Sequence, residues 1–168
     1  MQFNLYGLKL GGAKETGSQC SRLGGSSGVF HHRMLQTKTP KSTLLPQTAS
    51  GIFQSALRLA QLNVWRCELL LLMPDHLHLL ASFAGNQEMH QVVARWKRWM
   101  AWRENLIFQA GFFDHRLRSV ASSCEKWTYI YSNPVRGGLI TDPKDWPYVW
   151  TAAAFQISER SACKADPT

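Results

Sequence analysis

Hydrophobic positions along this chain change period several times, and each change marks a predicted element. Ile52, Ala56, Leu59, Ala60 and Asn63 fall at helical spacing and predict a helix over 49–63. Val64–Met73 turns almost wholly apolar at its far end, as in a strand buried on both faces, and Pro74-Asp75 has turn chemistry. His76–Phe83 reads as a second core strand joined to the first by that turn. Across 86–105, Met89, Val92, Val93, Trp96, Trp99 and Met100 recur at three- and four-residue steps. That spacing predicts an amphipathic helix whose polar face carries Arg95, Arg98 and Arg103, with Lys97 nearby. Gly111–Arg118 reads as a strand, and Ser122–Ser132 as a helix in which Ser122 and Glu125 have capping-box spacing. Asn133-Pro134 stands at its end. Residues 10–47 are broken by Gly11, Gly12, Gly17, Gly24, Gly25 and Gly28 and read as mostly loop. Phe3–Lys9 and Val29–Leu35 are strand candidates there, although neither alternates cleanly.

Strand, helix, strand, strand, helix, strand is the order of an α+β fold, a ferredoxin-like antiparallel sheet with helices packed on one face. The other face is then free for a ligand. With 168 residues, 45% of them hydrophobic, the chain can bury one sizeable core, so a single domain over 48–150 is expected. An irregular basic region over 1–47 precedes it, and an aromatic stretch ending at Trp150 leads into a tail over 151–168 that frays at its end.

Charge narrows the partner. Nineteen Lys and Arg against 11 Asp and Glu give a net charge of +8, which favours a polyanion such as nucleic acid. The longest apolar run, Leu69–Met73, is far short of the roughly 20 residues of a membrane span, so no membrane partner is expected. Cys20, Cys67, Cys124 and Cys163 are widely spaced without a CxxC, which fits a reducing cytoplasm better than a zinc knuckle or disulfide scaffold.

Three constellations can carry chemistry. His76 and His78 are two apart on a predicted strand, so both imidazoles leave the same side while Leu77 and Leu79 enter the core. Such a pair can hold a divalent cation with positions left open; the plain structural alternative is two histidines finishing a strand. Tyr129 and Asn133, four apart near a helix end, share a face, so a phenol and a carboxamide oxygen can address one site. An ordinary aromatic followed by a helix stop has the same spelling, and Tyr131 points elsewhere on the helix. Arg95, Lys97, Arg98 and Arg103, with Arg116 and Arg118 alternating on a strand and Arg136 after Pro134-Val135, are candidate phosphate contacts, though charged faces are more often simply solvated.

In combination, Met73-Pro74-Asp75-His76-Leu77-His78-Leu79-Leu80, the GFFDHRLR stretch from Gly111, the YIYSNPVRGGLI stretch from Tyr129 and Asp145-Trp146-Pro147 resemble the REP-associated tyrosine transposases. These belong with the single-tyrosine insertion-sequence transposases of the HUH nuclease superfamily. The resemblance runs from about Thr48 to Trp150. It implies His76, His78 and Asn133 as ligands of Mg²⁺ or Mn²⁺ and Tyr129 as nucleophile. The implied reaction cuts single-stranded DNA near imperfect palindromes through a 5′-phosphotyrosine and rejoins it, with hairpin DNA as partner, a homodimer allowed, and work on the bacterial nucleoid. A decayed or domesticated copy that only binds nucleic acid is the main rival, and a small metallohydrolase using water a further one. Two departures stand out: relatives open with a regular first strand and a basic loop, which residues 1–47 do not match, and Ala110 replaces the usual positive charge before GFFDHR.

Overall fold

The computed structural model describes residues 29–35, 46–83, 88–117 and 120–152. In chain order they form β1 (Val29–Leu35), α1 (Pro46–Gln61), β2 (Trp65–Leu72), β3 (His76–Phe83), α2 (Met89–Arg103), β4 (Phe113–Leu117), α3 (Val120–Tyr131), α4 (Asn133–Arg136) and β5 (Val149–Thr151). The strands make one five-stranded sheet in the order β4-β1-β3-β2-β5, antiparallel at every pairing. The antiparallel α+β expectation is met. Phe3–Lys9 lies outside the described residues, as does the tail from 153.

β2 and β3 form a tight hairpin about Pro74-Asp75, closed by the Met73 amide donating to the His76 carbonyl at 2.7 Å. The register shifts between Cys67 and Leu69, where Glu68 is the extra residue of a bulge. The bulge reverses side-chain parity, so Trp65 and Cys67, then Leu70 and Leu72, serve one face, while Leu69, Leu71 and Met73 serve the other. That is why β2 reads as a continuous apolar run.

Each face has its own core. Leu77, Leu79 and Ala81 of β3 pack with Ile52 and Phe53 of α1 and with Val93, Trp96 and Met100 of α2. Trp96 Nε1 donates to Ser55 Oγ at 2.9 Å, and the Glu104 carboxylate at the end of α2 lies over Gly51 of α1, so the two helices are joined at both places. Both helices end alike: Asn63 and Asn105 take left-handed φ of 54° and 52°. The next amides reach back to close each last turn, Val64 to Leu59 and Leu106 to Ala101. The opposite face carries α3, whose Ile130 is fully buried with Leu69, Leu71, Leu80 and Leu117. Helices α1 and α2 thus cover one face, and α3 is a further helix on the other.

Three details differ from expectation. Val29–Leu35 is an interior strand between β3 and β4, because pairing on both sides overrides its glycine-rich approach. Helix α3 begins at Val120, so Ser122 sits inside the first turn and is not its N-cap. Val149–Thr151, read as part of an aromatic tail, is a strand on β2, and Trp146 Nε1 donates to the Leu72 carbonyl at 2.9 Å beside it.

Candidate active site

A pocket of about 590 Å³ opens on the α3 face, at the hairpin end of β3. His76 and His78 reach it because strand alternation sends Leu77 and Leu79 the other way into the α1/α2 core. Tyr129 reaches it because Ile130, fully buried, fixes the rotation of α3 and leaves Tyr129 exposed. Asn133 and Arg136 come from α4, and Lys126, Phe113 and Met73 complete much of the wall.

The imidazoles are oriented, not merely adjacent. His76 Nδ1 and Asp75 Oδ1 are 2.6 Å apart, and His76 Nε2 lies 3.1 Å from His78 Nε2. With Nδ1–H donating to Asp75, His76 Nε2 carries a lone pair. Either His78 Nε2–H donates to it, or both lone pairs turn to a cation. Two neighbouring nitrogen ligands about 2.1 Å from one six-coordinate cation stand roughly 3 Å apart, so the donor set fits. Were a cation held there, Asp75 would be the carboxylate that orients its histidine.

Asn133 uses its amide nitrogen locally, donating to the carbonyls of Tyr129 at 3.0 Å and Ile130 at 3.1 Å. Its oxygen is the atom left for the pocket. No group of three or more His, Cys, Asp or Glu side chains suited to a metal occurs among the described residues, so a cation here depends on carboxamide and substrate oxygens as further ligands.

Two cations lie over the Tyr129 ring: Lys126 Nζ is 5.2 Å from its centroid and the Arg136 guanidinium carbon 4.7 Å. Tyr131 instead stacks on Trp127, centroids 4.7 Å apart, and does not line the pocket. Among the described residues, no acidic side chain lines it either. Cys67 is no rival nucleophile, since burial and the Glu68 carboxylate push its thiol well above the usual range.

The basic residues divide. Arg136 faces the pocket. Lys97 is a correction: it is buried on α2, with Nζ donating to the carbonyls of Gln109, at 2.8 Å, and Gly111. Its position four after Val93 and three before Met100 puts it on the inward stripe, so it is not free to meet a phosphate. Arg95, Arg98 and Arg103 are exposed on α2, over the face opposite the histidines, and Arg116 is exposed on β4; none of them lines the pocket. Arg118 lies outside the described residues. Sequence reading missed Asp75, taken only for its turn chemistry, Lys126, although it precedes Tyr129 by three on a helix, and Phe113.

A Haemophilus influenzae protein named as a REP-associated tyrosine transposase is 29% identical over 94 residues, 46% of this chain and 53% of that protein. The Escherichia coli REP-associated tyrosine transposase is 25% identical over 93 residues, 52% of each chain. A solved structure of a REP-associated tyrosine transposase bound to a REP hairpin superposes with a TM-score of 0.66 at 18% identity, covering 84% of this chain and 83% of that one. This chain is similar to the REP-associated tyrosine transposases. It spans about half the length of the curated relatives it matches. No protein-family model matches. Among the described residues, no helix is long and apolar enough to cross a membrane.

Proposed function

We propose that this chain cuts and rejoins single-stranded DNA with Tyr129 as nucleophile. One observation carries the reading: the two Nε2 atoms, 3.1 Å apart, open into the same pocket as a tyrosine flanked by Lys126 and Arg136. A phosphodiester fits that combination, because its anionic oxygens suit the cations and its phosphorus needs an oxygen nucleophile. His76, His78 and the Asn133 oxygen would hold Mg²⁺ or Mn²⁺. When bound, the cation polarises the scissile phosphate and helps align it.

The side chains then have separate tasks. Tyr129 Oη attacks phosphorus, the bond from phosphorus to the 3′ oxygen breaks, the phenolic proton is released, and the departing oxygen takes up a proton as a 3′ hydroxyl. The DNA is left as a 5′-phosphotyrosine ester. Attack by another 3′ hydroxyl re-forms a phosphodiester and returns the phenol, so no energy source is required. Asp75 holds the His76 tautomer throughout. Because the neighbour of known structure is bound to a REP hairpin, hairpin-forming DNA is the substrate to try first.

The test is incubation with end-labelled single-stranded hairpin DNA and Mn²⁺, read on a denaturing gel. Wild type should give a covalent DNA-protein band, Tyr129→Phe none, with DNA binding by the variant within about twofold of wild type. Tyr131→Phe should behave as wild type. Folded protein that binds DNA without forming the band would overturn the reading and favour a binding-only protein.

A further inference from the structure

We infer that Phe113 and Lys126 form a nucleotide subsite at the mouth of the pocket, Phe113 stacking on a nucleobase and Lys126 taking a phosphate of the same strand. The inference rests on the reading of the pocket as a DNA site and assigns which group recognises what.

Phe113 opens β4, an edge strand of the sheet. The backbone register runs Phe113 to Arg33 to His78, so Phe113 stands on the same line across the sheet as the second histidine. Four residues further on, and therefore on the same face, Leu117 is 6% exposed within the α3 core, whereas Phe113 is 65% exposed. The strand can bury an apolar side chain on this face and does so at Leu117. Packing therefore does not account for a phenyl ring at Phe113, left largely in water beside a cationic pocket. A flat, exposed ring next to guanidinium and ammonium groups is the arrangement that binds single strands: bases stack on the ring while cations follow the phosphates.

Lys126 supplies the second half. It lines the same pocket from α3, one turn before Tyr129, with Nζ 5.2 Å from the tyrosine ring, and among the described residues that line the pocket none is a carboxylate that would neutralise it. An ammonium on a flexible stem serves a phosphate as a point charge and does not read a base. The two residues therefore make separable predictions.

The experiment measures affinity of the full chain by fluorescence anisotropy in EDTA, so that neither the cation nor cleavage contributes. Two probes are used, thymidine oligonucleotides of about ten nucleotides and an abasic strand of the same length carrying the same phosphates. Phe113→Ala should weaken binding of the thymidine probe about tenfold and of the abasic probe less than twofold, and Phe113→Trp should restore the thymidine affinity. Lys126→Gln should weaken both probes alike and reduce the slope of log affinity against log salt by about one. Equal losses on both probes for Phe113→Ala, no loss on either, or wild-type protein that holds both probes equally would overturn the stacking assignment. An unchanged salt slope in Lys126→Gln would overturn the phosphate assignment. Base-dependent binding together with a missing covalent band would sustain the subsite while the strand-transfer reading fell, so the two failures are distinguishable.

Discussion

The two faces of the sheet come from the same strands and are put to different uses. On the α1/α2 face, side chains from β2, β3 and both helices close into a continuous apolar core. The cation that enters there, Lys97, is taken up by two loop carbonyls. On the α3 face the apolar core among the described residues is smaller, and it ends where His76 and His78 begin, leaving Lys126 and Arg136 beside an exposed tyrosine. Two lysines on helices thus have opposite fates. A helix laid on the sheet along its whole inner stripe leaves no room for a solvated charge, whereas α3 turns Ile130 inward with Cys124 and Trp127 and leaves Lys126 and Tyr129 on the side that lines the pocket. Core packing and the pocket are segregated by strand parity, so adjacent residues of β3 should respond to truncation in different ways.

The largest effects should separate those two residues. His78→Ala should lower cation-dependent DNA cleavage about a thousandfold or more while leaving most of the folding stability, because it removes one of the two converging nitrogens. Leu79→Ala, one residue along, should cost about 2–5 kcal/mol of folding stability, since Leu79 is fully buried in the α1/α2 core. Cleavage per folded molecule should stay close to wild type. Denaturant melts and cleavage rates on both variants decide this; a large stability loss in His78→Ala, or an inactive but well-folded Leu79→Ala, would show that the faces are not separate.

A smaller effect tests whether the site is organised beyond its ligands. Asp75→Asn keeps the turn and the shape but weakens the partner of His76 Nδ1, 2.6 Å away. Mn²⁺ affinity should fall about 10–100-fold, with DNA binding in EDTA unchanged. Calorimetric titration with Mn²⁺ checks it, and unchanged affinity would reduce Asp75 to a turn residue.

How much of this was legible depended on whether local pattern or distant pairing decided each element. The hairpin and the His76/His78 pair were readable because a period of two and a Pro-Asp turn are local facts. Tyr129 and Asn133 were readable as one face for the same reason on a helix. β1 was harder, because Val29–Leu35 holds His31, His32 and Arg33 in a row, and its interior place comes from pairing with β3 and β4, far along the chain. Lys97 was misplaced although the signal was present, since Val93 and Met100 share its stripe; the run of basic residues around it drew the reading outward. Phe113 had no signal of its own, and Lys126 only its place three before Tyr129 on a helix, for a pocket wall is assembled from separate elements and is invisible until they meet.

The smallest expected effect returns to the buried lysine and sharpens the contrast between the faces. Burial holds the Lys97 ammonium below the ordinary lysine range, whereas in the unfolded chain its proton is held at that ordinary value. Below the folded value both states keep the proton, and the lysine's contribution to stability does not change with pH. Between the folded value and the ordinary one the unfolded chain binds more protons, so the lysine's contribution to stability rises with pH through that window. Lys97→Met removes the titration. The stability difference between wild type and variant, followed by urea melts from about neutral pH to about pH 10, should therefore shift in favour of wild type as pH climbs. Parallel curves would mean that the two carbonyl bonds keep the ammonium charged in the folded protein. In either case the salt slope of DNA binding should not change in Lys97→Met, because a lysine committed to the Gln109 and Gly111 carbonyls has no phosphate to release, and that silence against the loss expected in Lys126→Gln is what the difference between the two faces requires.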